Sequence, residues 1–263
     1  MNAPSRSELI KHLQIYVKQH KIQIDSEFQG WESGVHAVLD CVFSSMADYK
    51  TTVLPTLKRF GEQPGMQDNP KLEFSHFIAD VDKYNVDGNK FVFYAREIMK
   101  NEQEISGRTK VEVAYEVCKF FIDRGHETKA SLKALPRGQP GTCETPPGEP
   151  GELECWVMEE MIKPGSAHKI RGMGPALGAY LLMNLGDEEH VKVDTMIQRV
   201  FTKPDFWKPR AGHPVDDKLI RDAVTCVARQ MNTTPLRLDN ALWRHESNVA
   251  RERKGGKSKL LES

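Results

Sequence analysis

The 263 residues contain no uninterrupted apolar run of the roughly 18 residues that a membrane-spanning helix requires, so no membrane partner is expected. Net charge is missing too. With 37 basic and 37 acidic residues, an anionic polymer cannot be held by bulk charge and must find a local patch. The five cysteines (Cys41, Cys118, Cys143, Cys155, Cys226) are odd in number and widely spaced, and no CxxC occurs. That pattern disfavours zinc ribbons, iron–sulfur ligand runs and a disulfide scaffold, and predicts reduced thiols that only pack. The opening MNAPSRSELIKHLQ shows no short apolar segment followed by a small-residue cleavage site, so a cytoplasmic, nucleoid-associated location is expected. Internal repeats and convincing period-two alternation are also lacking.

What is present is helical periodicity. Hydrophobic residues at 39% and charged residues at 28% describe an ordered chain long enough for one large domain or two lobes. Leu9, Leu13, Tyr16 and Val17 form one stripe; Val35, Val38, Leu39, Val42 and Phe43 form a second. Further stripes are Val53, Leu54, Leu57 and Phe60, then Val111, Ala114, Tyr115, Cys118, Phe121 and Ile122. Later ones run through Leu177, Tyr180, Leu181 and Leu185, through Ile197, Val200 and Phe201, and through Leu219, Ile220, Val224 and Val227. The predicted fold class is all-α. Residues 136–151, with five prolines and four glycines, read as a surface insertion loop, either a tolerated excursion or a lid or partner-contact loop. The basic end, residues 251–263, reads as frayed.

Chemistry concentrates in residues 166–185, SAHKIRGMGPALGAYLLMNL. A short helix is predicted to run into Ile170-Arg171-Gly172-Met173-Gly174, and a second to begin at Pro175, where proline's fixed φ suits the first helical position. Two glycines one residue apart allow a tight turn and a close backbone approach. The N–H groups opening the next helix then form an anion site suited to a DNA phosphate. No acidic residue occurs from Met161 to Gly186, while Lys163, His168, Lys169 and Arg171 cluster before the turn. An ordinary tight turn would show the same GxG.

Downstream, VKVDTMIQRV places Asp194 between apolar Val193 and an amphipathic helix, as an N-cap or first-turn residue. IxGMGxxLGAYLLMNLG followed by VKVDTxxxRV resembles the helix-hairpin-helix, Gly/Pro-rich stretch and aspartate of the HhH-GPD superfamily of DNA glycosylases. Arg199, five residues past the aspartate, is part of the match. Residues 38–58, with Met46 where the family often has glutamine, are similar to the early helix and loop that reach DNA. Residues 89–124, with Tyr94–Arg96 and Arg108–Lys110, resemble the middle helices, and residues 235–247 (PLRLDNALWRHES) the closing segment. The motif is specific only over residues 172–199.

This resemblance implies two helical lobes with a DNA-binding cleft between them. One lobe would be residues 31–187, including the hairpin at about 166–185; the other would combine 1–30 with 188–263. It implies DNA-backbone contacts at Lys169, Arg171, Gly172, Met173, Gly174 and Ala176, and Asp194 as the catalytic carboxylate. Met46 or Tyr49 is the candidate wedge filling the gap left by a flipped base, although Met46 would equally suit a core. Bifunctional members carry a nucleophilic lysine where Ala176 stands, so a monofunctional enzyme leaving an abasic site is expected. Lys169 and Lys192 flank the motif and read more plainly as phosphate contacts than as substitute nucleophiles. No cofactor or metal is expected. The partner would be double-stranded DNA with a damaged or modified base, and the protein a monomer. Trp31, Tyr94, Tyr115, Trp207 and Trp243 are candidates for the base pocket or for the core. Repair and defence against modified phage DNA both remain open, as does a non-catalytic DNA-binding module with the same hairpin.

Overall fold

The computed structural model describes residues 4–28, 30–85, 88–139, 148–202 and 215–261, with 251–261 as backbone only. Trp207, Cys143 and residues 140–147 of the Pro/Gly-rich loop lie outside the described residues. The chain is predominantly α-helical. It divides into two compact units, one comprising Gln29–Gln139 with Gly148–Asp187 (the internal unit), the other including Met1–Phe28 and Glu188–Ser263 (the terminal unit).

In chain order, α1 is Arg6–Gln19 and α2 Gly34–Phe43; a π-turn, Tyr49–Val53, leads into α3, Leu54–Gly61. Then come α4 (Phe74–Asp82), α5 (Lys90–Glu97), the two-residue strands β1 (Glu104–Ile105) and β2 (Arg108–Thr109), α6 (Lys110–Ile122) and α7 (Lys129–Lys133). Helix α8, Glu152–Cys155, continues as a π-helix over Trp156–Met161, and α9 is Pro175–Asn184. The terminal unit resumes with α10 (Thr195–Thr202), α11 (Asp217–Gln230) and α12 (Pro235–Leu261). Strands β1 and β2 pair antiparallel in a minimal hairpin that period-two counting could not register. Among the described residues no helix is long and apolar enough to cross a membrane.

Helix α2 organises the internal unit. Every residue from Gly34 to Phe43 is buried, the polar His36 and Asp40 included. Ser33 caps its start by accepting the His36 N–H, and Gly34 is small because a Cβ there would lie 2.5 Å from the Phe74 ring. Helices α6 and α9 pack on α2, and α4 packs on α6. Each fully buried Leu or Phe in this core contributes about 2 kcal/mol. The chain leaves α2 through Met46, whose φ of +52° is left-handed. The turn is held from α6: Lys110, 2% exposed, donates to the carbonyls of Phe43 (3.0 Å) and Ser45 (2.6 Å) and to Gln103 Oε1 (2.8 Å). Burial pushes Lys110 down to about 8.

In the terminal unit, Leu9, Leu13, Tyr16 and Val17 of α1 are buried, and α1 packs chiefly on α11. Ile197, Val200 and Phe201 of α10 join Leu238, Ala241 and Leu242 of α12 in the same core. The closing helix reaches α1 through the Tyr16 hydroxyl, which donates to buried Glu246.

Two sequence expectations are corrected. The short helix before Gly172 does not form: the helical segment ends at Met161, and residues 162–174 make successive turns. Pro164 and Gly165, the latter at φ +84°, stop the helix there. Cys41, Cys118 and Cys155 are free thiols, but Cys226 is disulfide-bonded, so not all the thiols are reduced.

Candidate functional site

The site residues fall into two groups, one in each unit. In the internal unit, α9 opens with Gly174 as an extended N-cap (φ −123°, ψ 176°) and Pro175 at its first position, with no side chain capping it. The N–H groups of Gly174, Ala176 and Leu177 meet no acceptor among the described residues. Three backbone donors at the positive end of a helix can take an anionic oxygen. Gly172 is required twice over. Its φ is +101°, and an added Cβ would sit 3.1 Å from Ile105 Cγ2 and 3.3 Å from Val113 Cγ2. The turn is therefore pressed onto the β-hairpin and the start of α6.

The cations before the turn have different uses. Lys163 donates to Glu159 at 2.5 Å. Lys169 turns inward, donating to the carbonyls of Ile162 (2.6 Å) and Met173, so it staples the turn closed; burial lowers its affinity for the proton. Arg108 is held by Glu112 (3.1 Å) and Glu116, and its Nη1 approaches the Arg171 carbonyl at 3.5 Å. Arg171 itself is exposed, without an ion pair among the described residues, and its Nη2 lies over Gly107. Met173 is buried beneath the turn. Ala176 is half-buried at the helix start and presents no amine.

Met46 belongs with this group. Its side chain is 99% exposed, which a core role does not permit. The residues beside it are tied to the first residue of α6, and Gly172 packs on Val113 of the same helix. The two turns are thus anchored on the same first turns of α6. Tyr49 is bound instead: its hydroxyl donates to Asp40 Oδ2 at 3.3 Å, as do Trp31 Nε1 at 2.7 Å and the Tyr180 hydroxyl at 3.1 Å. Asp40 is buried, and this carboxylate gathers the aromatic rings around α2. Tyr94 is a core residue bonded to Asp80 at 2.7 Å, and burial with that carboxylate raises its hydroxyl far above the usual range. The Tyr115 hydroxyl reaches Asp82 at 3.1 Å, and Trp243 packs against the terminal core.

The second group lies in the terminal unit. Val191 and Val193 point into the core while Lys192 and Asp194 alternate away from it. Asp194 Oδ1 accepts the N–H groups of Met196 (2.8 Å) and Ile197 (3.1 Å), capping α10, and its own N–H donates to the Lys192 carbonyl at 2.8 Å. Oδ2 stands 3.8 Å from Lys192 Nζ, and the side chain is 22% exposed. A carboxylate so held has one oxygen fixed by backbone and one facing a cation. It keeps enough access to meet a substrate. Arg199 is exposed on the same helix, with Nη1 3.3 Å from Met196 Sδ.

Sequence reasoning missed Asp239. It lies on α12, 4% exposed, between the buried Leu238 and Leu242. Its Oδ1 is buried without a hydrogen-bond partner. Burial first, then the charge of Asp194, raise its carboxyl well above the usual range, opposed by the Lys192 ammonium and backbone N–H. The available signal was an acidic residue inside the apolar stripe 238–242. Among the described residues no group of three or more His, Cys, Asp or Glu could hold a metal ion.

Residues 166–247 match the model of a family described as a domain of unknown function (DUF8548). That span contains the Gly172–Gly174 turn, Lys192, Asp194 and Asp239. No curated protein and no solved structure matches the chain.

Proposed function

We propose that the protein is a monofunctional DNA glycosylase of the HhH-GPD type, with two lobes about a DNA-binding cleft, which hydrolyses the N-glycosidic bond of a flipped-out damaged or modified base. The observation that carries this reading is the held but accessible carboxylate of Asp194. Breaking the bond sends its electron pair to the departing base and leaves positive charge on the deoxyribose, as in an oxocarbenium ion. Asp194 stabilises that charge and accepts the proton of the water that adds to C1′. Its fixed oxygen prevents the carboxylate from swinging away, which lowers the reorganisation needed in the transition state.

Three features of the internal unit support DNA as substrate. The open N–H groups at Gly174, Ala176 and Leu177, with Arg171 beside them, suit one backbone phosphate, a contact that positions DNA without reading its sequence. Met46 has the size, the apolar surface and the exposure to occupy the space of an extruded base. Ala176 supplies no nucleophile for a Schiff base, so the product is an intact strand with an abasic site. Lys169 contributes by closing the turn, and Lys192 by facing Asp194.

A non-catalytic DNA-binding module is the second reading. It is favoured by the N-capping geometry of Asp194, which is what a purely structural aspartate would show. Asp194→Asn separates the two, since asparagine still caps α10 but carries no charge. The purified variant should bind DNA as the native protein does and release no base, measured by mass spectrometry on damaged and phage-modified DNAs. Equal base release by the variant removes Asp194 from catalysis. Binding without release by the native protein, across that panel, leaves the binding module. The base released also decides between repair and defence.

A further inference from the structure

We infer that Lys110 is the positioning residue of the Met46 wedge: its buried ammonium grips the carbonyls leading to Met46 and holds the turn in the shape that presents this side chain to DNA. The inference deepens the glycosylase reading and rests on it for the purpose of the wedge, while the grip itself can be measured without DNA.

Lys110 Nζ meets three oxygens, the carbonyls of Phe43 (3.0 Å) and Ser45 (2.6 Å) and Gln103 Oε1 (2.8 Å), one for each N–H of an ammonium. Phe43 ends α2, where a cation suits carbonyls that have no further helical turn to bond. The Ser45 carbonyl matters most. It shares a planar peptide unit with the Met46 nitrogen, so fixing that oxygen fixes the plane from which the Met46 φ is set. That φ is +52°, a conformation that residues with a Cβ disfavour. The Met46 side chain is 99% exposed, so its own packing does not hold the turn. The Ser44 and Ser45 N–H groups bond the Asp40 and Val42 carbonyls of α2 at 3.0 and 3.3 Å, and Lys110 secures the carbonyls that follow.

Lys110 is also the first residue of α6, and the Gly172 turn presses on Val113 of that helix. One helix start thus sets both the wedge and the turn that faces a phosphate. A wedge that became ordered only on meeting DNA would lose about a tenfold factor in affinity for each backbone residue fixed. The Lys110 grip orders the turn beforehand.

Two measurements test this. In the full chain labelled with ¹⁵N, the Met46 amide should be as rigid as α2, with an order parameter of about 0.85, and should fall below about 0.6 in Lys110→Met. A mobile Met46 in the native protein, or an unchanged one in Lys110→Met, overturns the grip. The wedge is read from binding to two duplexes, one intact and one with a tetrahydrofuran abasic-site analogue, whose gap stands open without extrusion of a base. The native protein should prefer the gapped duplex, and Met46→Gly should lower that preference about tenfold by removing the apolar side chain. Lys110→Met should lower it by a similar factor, leave binding to the intact duplex unchanged, and add nothing to Met46→Gly. The positioning role fails if the native protein has no preference, if Lys110→Met does not move it, if the loss is equal on both duplexes, or if the two effects add in full. Circular dichroism checks the folding of each variant, and where Lys110→Met does not fold, the shorter but still polar Lys110→Gln takes its place. Absence of base release from damaged and modified DNAs is a separate result. It ends the glycosylase reading and the catalytic purpose of the wedge, while the two measurements above still judge Lys110.

Discussion

The state of Asp239 makes a thermodynamic statement that needs no substrate. Folded Asp239 keeps a proton that the unfolded chain releases once the pH passes about 4, because its carboxyl is raised in the fold. In that window the native state binds one proton more than the unfolded state, so the unfolding free energy falls as pH rises. The window opens at the unfolded carboxylate value and closes where folded Asp239 itself ionises. Within it the slope is about −1.4 kcal/mol per pH unit, a tenfold loss in the folding equilibrium for each unit. Asp239→Asn has no proton to keep and lacks this term. Urea unfolding of both proteins, followed by circular dichroism from about pH 4 upward, should show the variant gaining on the native protein as pH rises through that window. With a denaturant slope of about 2–3 kcal/mol per molar, the difference in midpoints should grow by about 0.5 M urea per pH unit. All other titrating groups are common to both chains and cancel in the difference. Parallel midpoints across this range would refute the reasoning, since they would mean that Asp239 is ionised in the fold like any surface aspartate.

The internal unit yields two further predictions. Gly172→Val should destabilise the fold by about 2 kcal/mol or more, because valine must adopt φ +101° and meet Ile105 and Val113, as urea denaturation would report. Whatever folds should bind DNA more weakly at every sequence and with a shallower salt dependence, measured by titration at several salt concentrations. Met46→Gly should leave stability unchanged or raise it by about 1 kcal/mol, since it relieves a left-handed backbone and loses no buried contact. Single-turnover base release from duplex DNA should nevertheless fall roughly tenfold, because nothing then fills the vacated stack. An unaltered rate would remove Met46 from the wedge role.

Much of the helical framework was legible because its cause is local. The stripe Leu9, Leu13, Tyr16 and Val17 is the buried face of α1, and Val35 through Phe43 lies within the wholly buried α2. Pro175 opens α9, where its missing N–H costs nothing. The same counting assigned Leu54 to a core stripe although it is 39% exposed, since the π-turn at Tyr49–Val53 shifts the register entering α3. It also predicted helix up to Gly172, where turns prevail. The apolar Ile170 and Met173 are buried there without helical spacing, because they plug the turn from beneath.

Residue identity and spacing by themselves determined the apolar stripes that become α1, α2 and α6, where α9 starts, that Ala176 carries no amine, and that an aspartate stands at the head of α10. These are properties of neighbours a few residues apart, set by side-chain volume, φ preference and the pairing of backbone N–H groups. Only the tertiary structure decided that Lys169 points inward, that Met46 is bare, and that Asp239 is buried with one oxygen unpartnered. Burial and charge act through space. The ionisation of a carboxyl depends on what distant segments bring beside it, and no pattern along the chain encodes that distance.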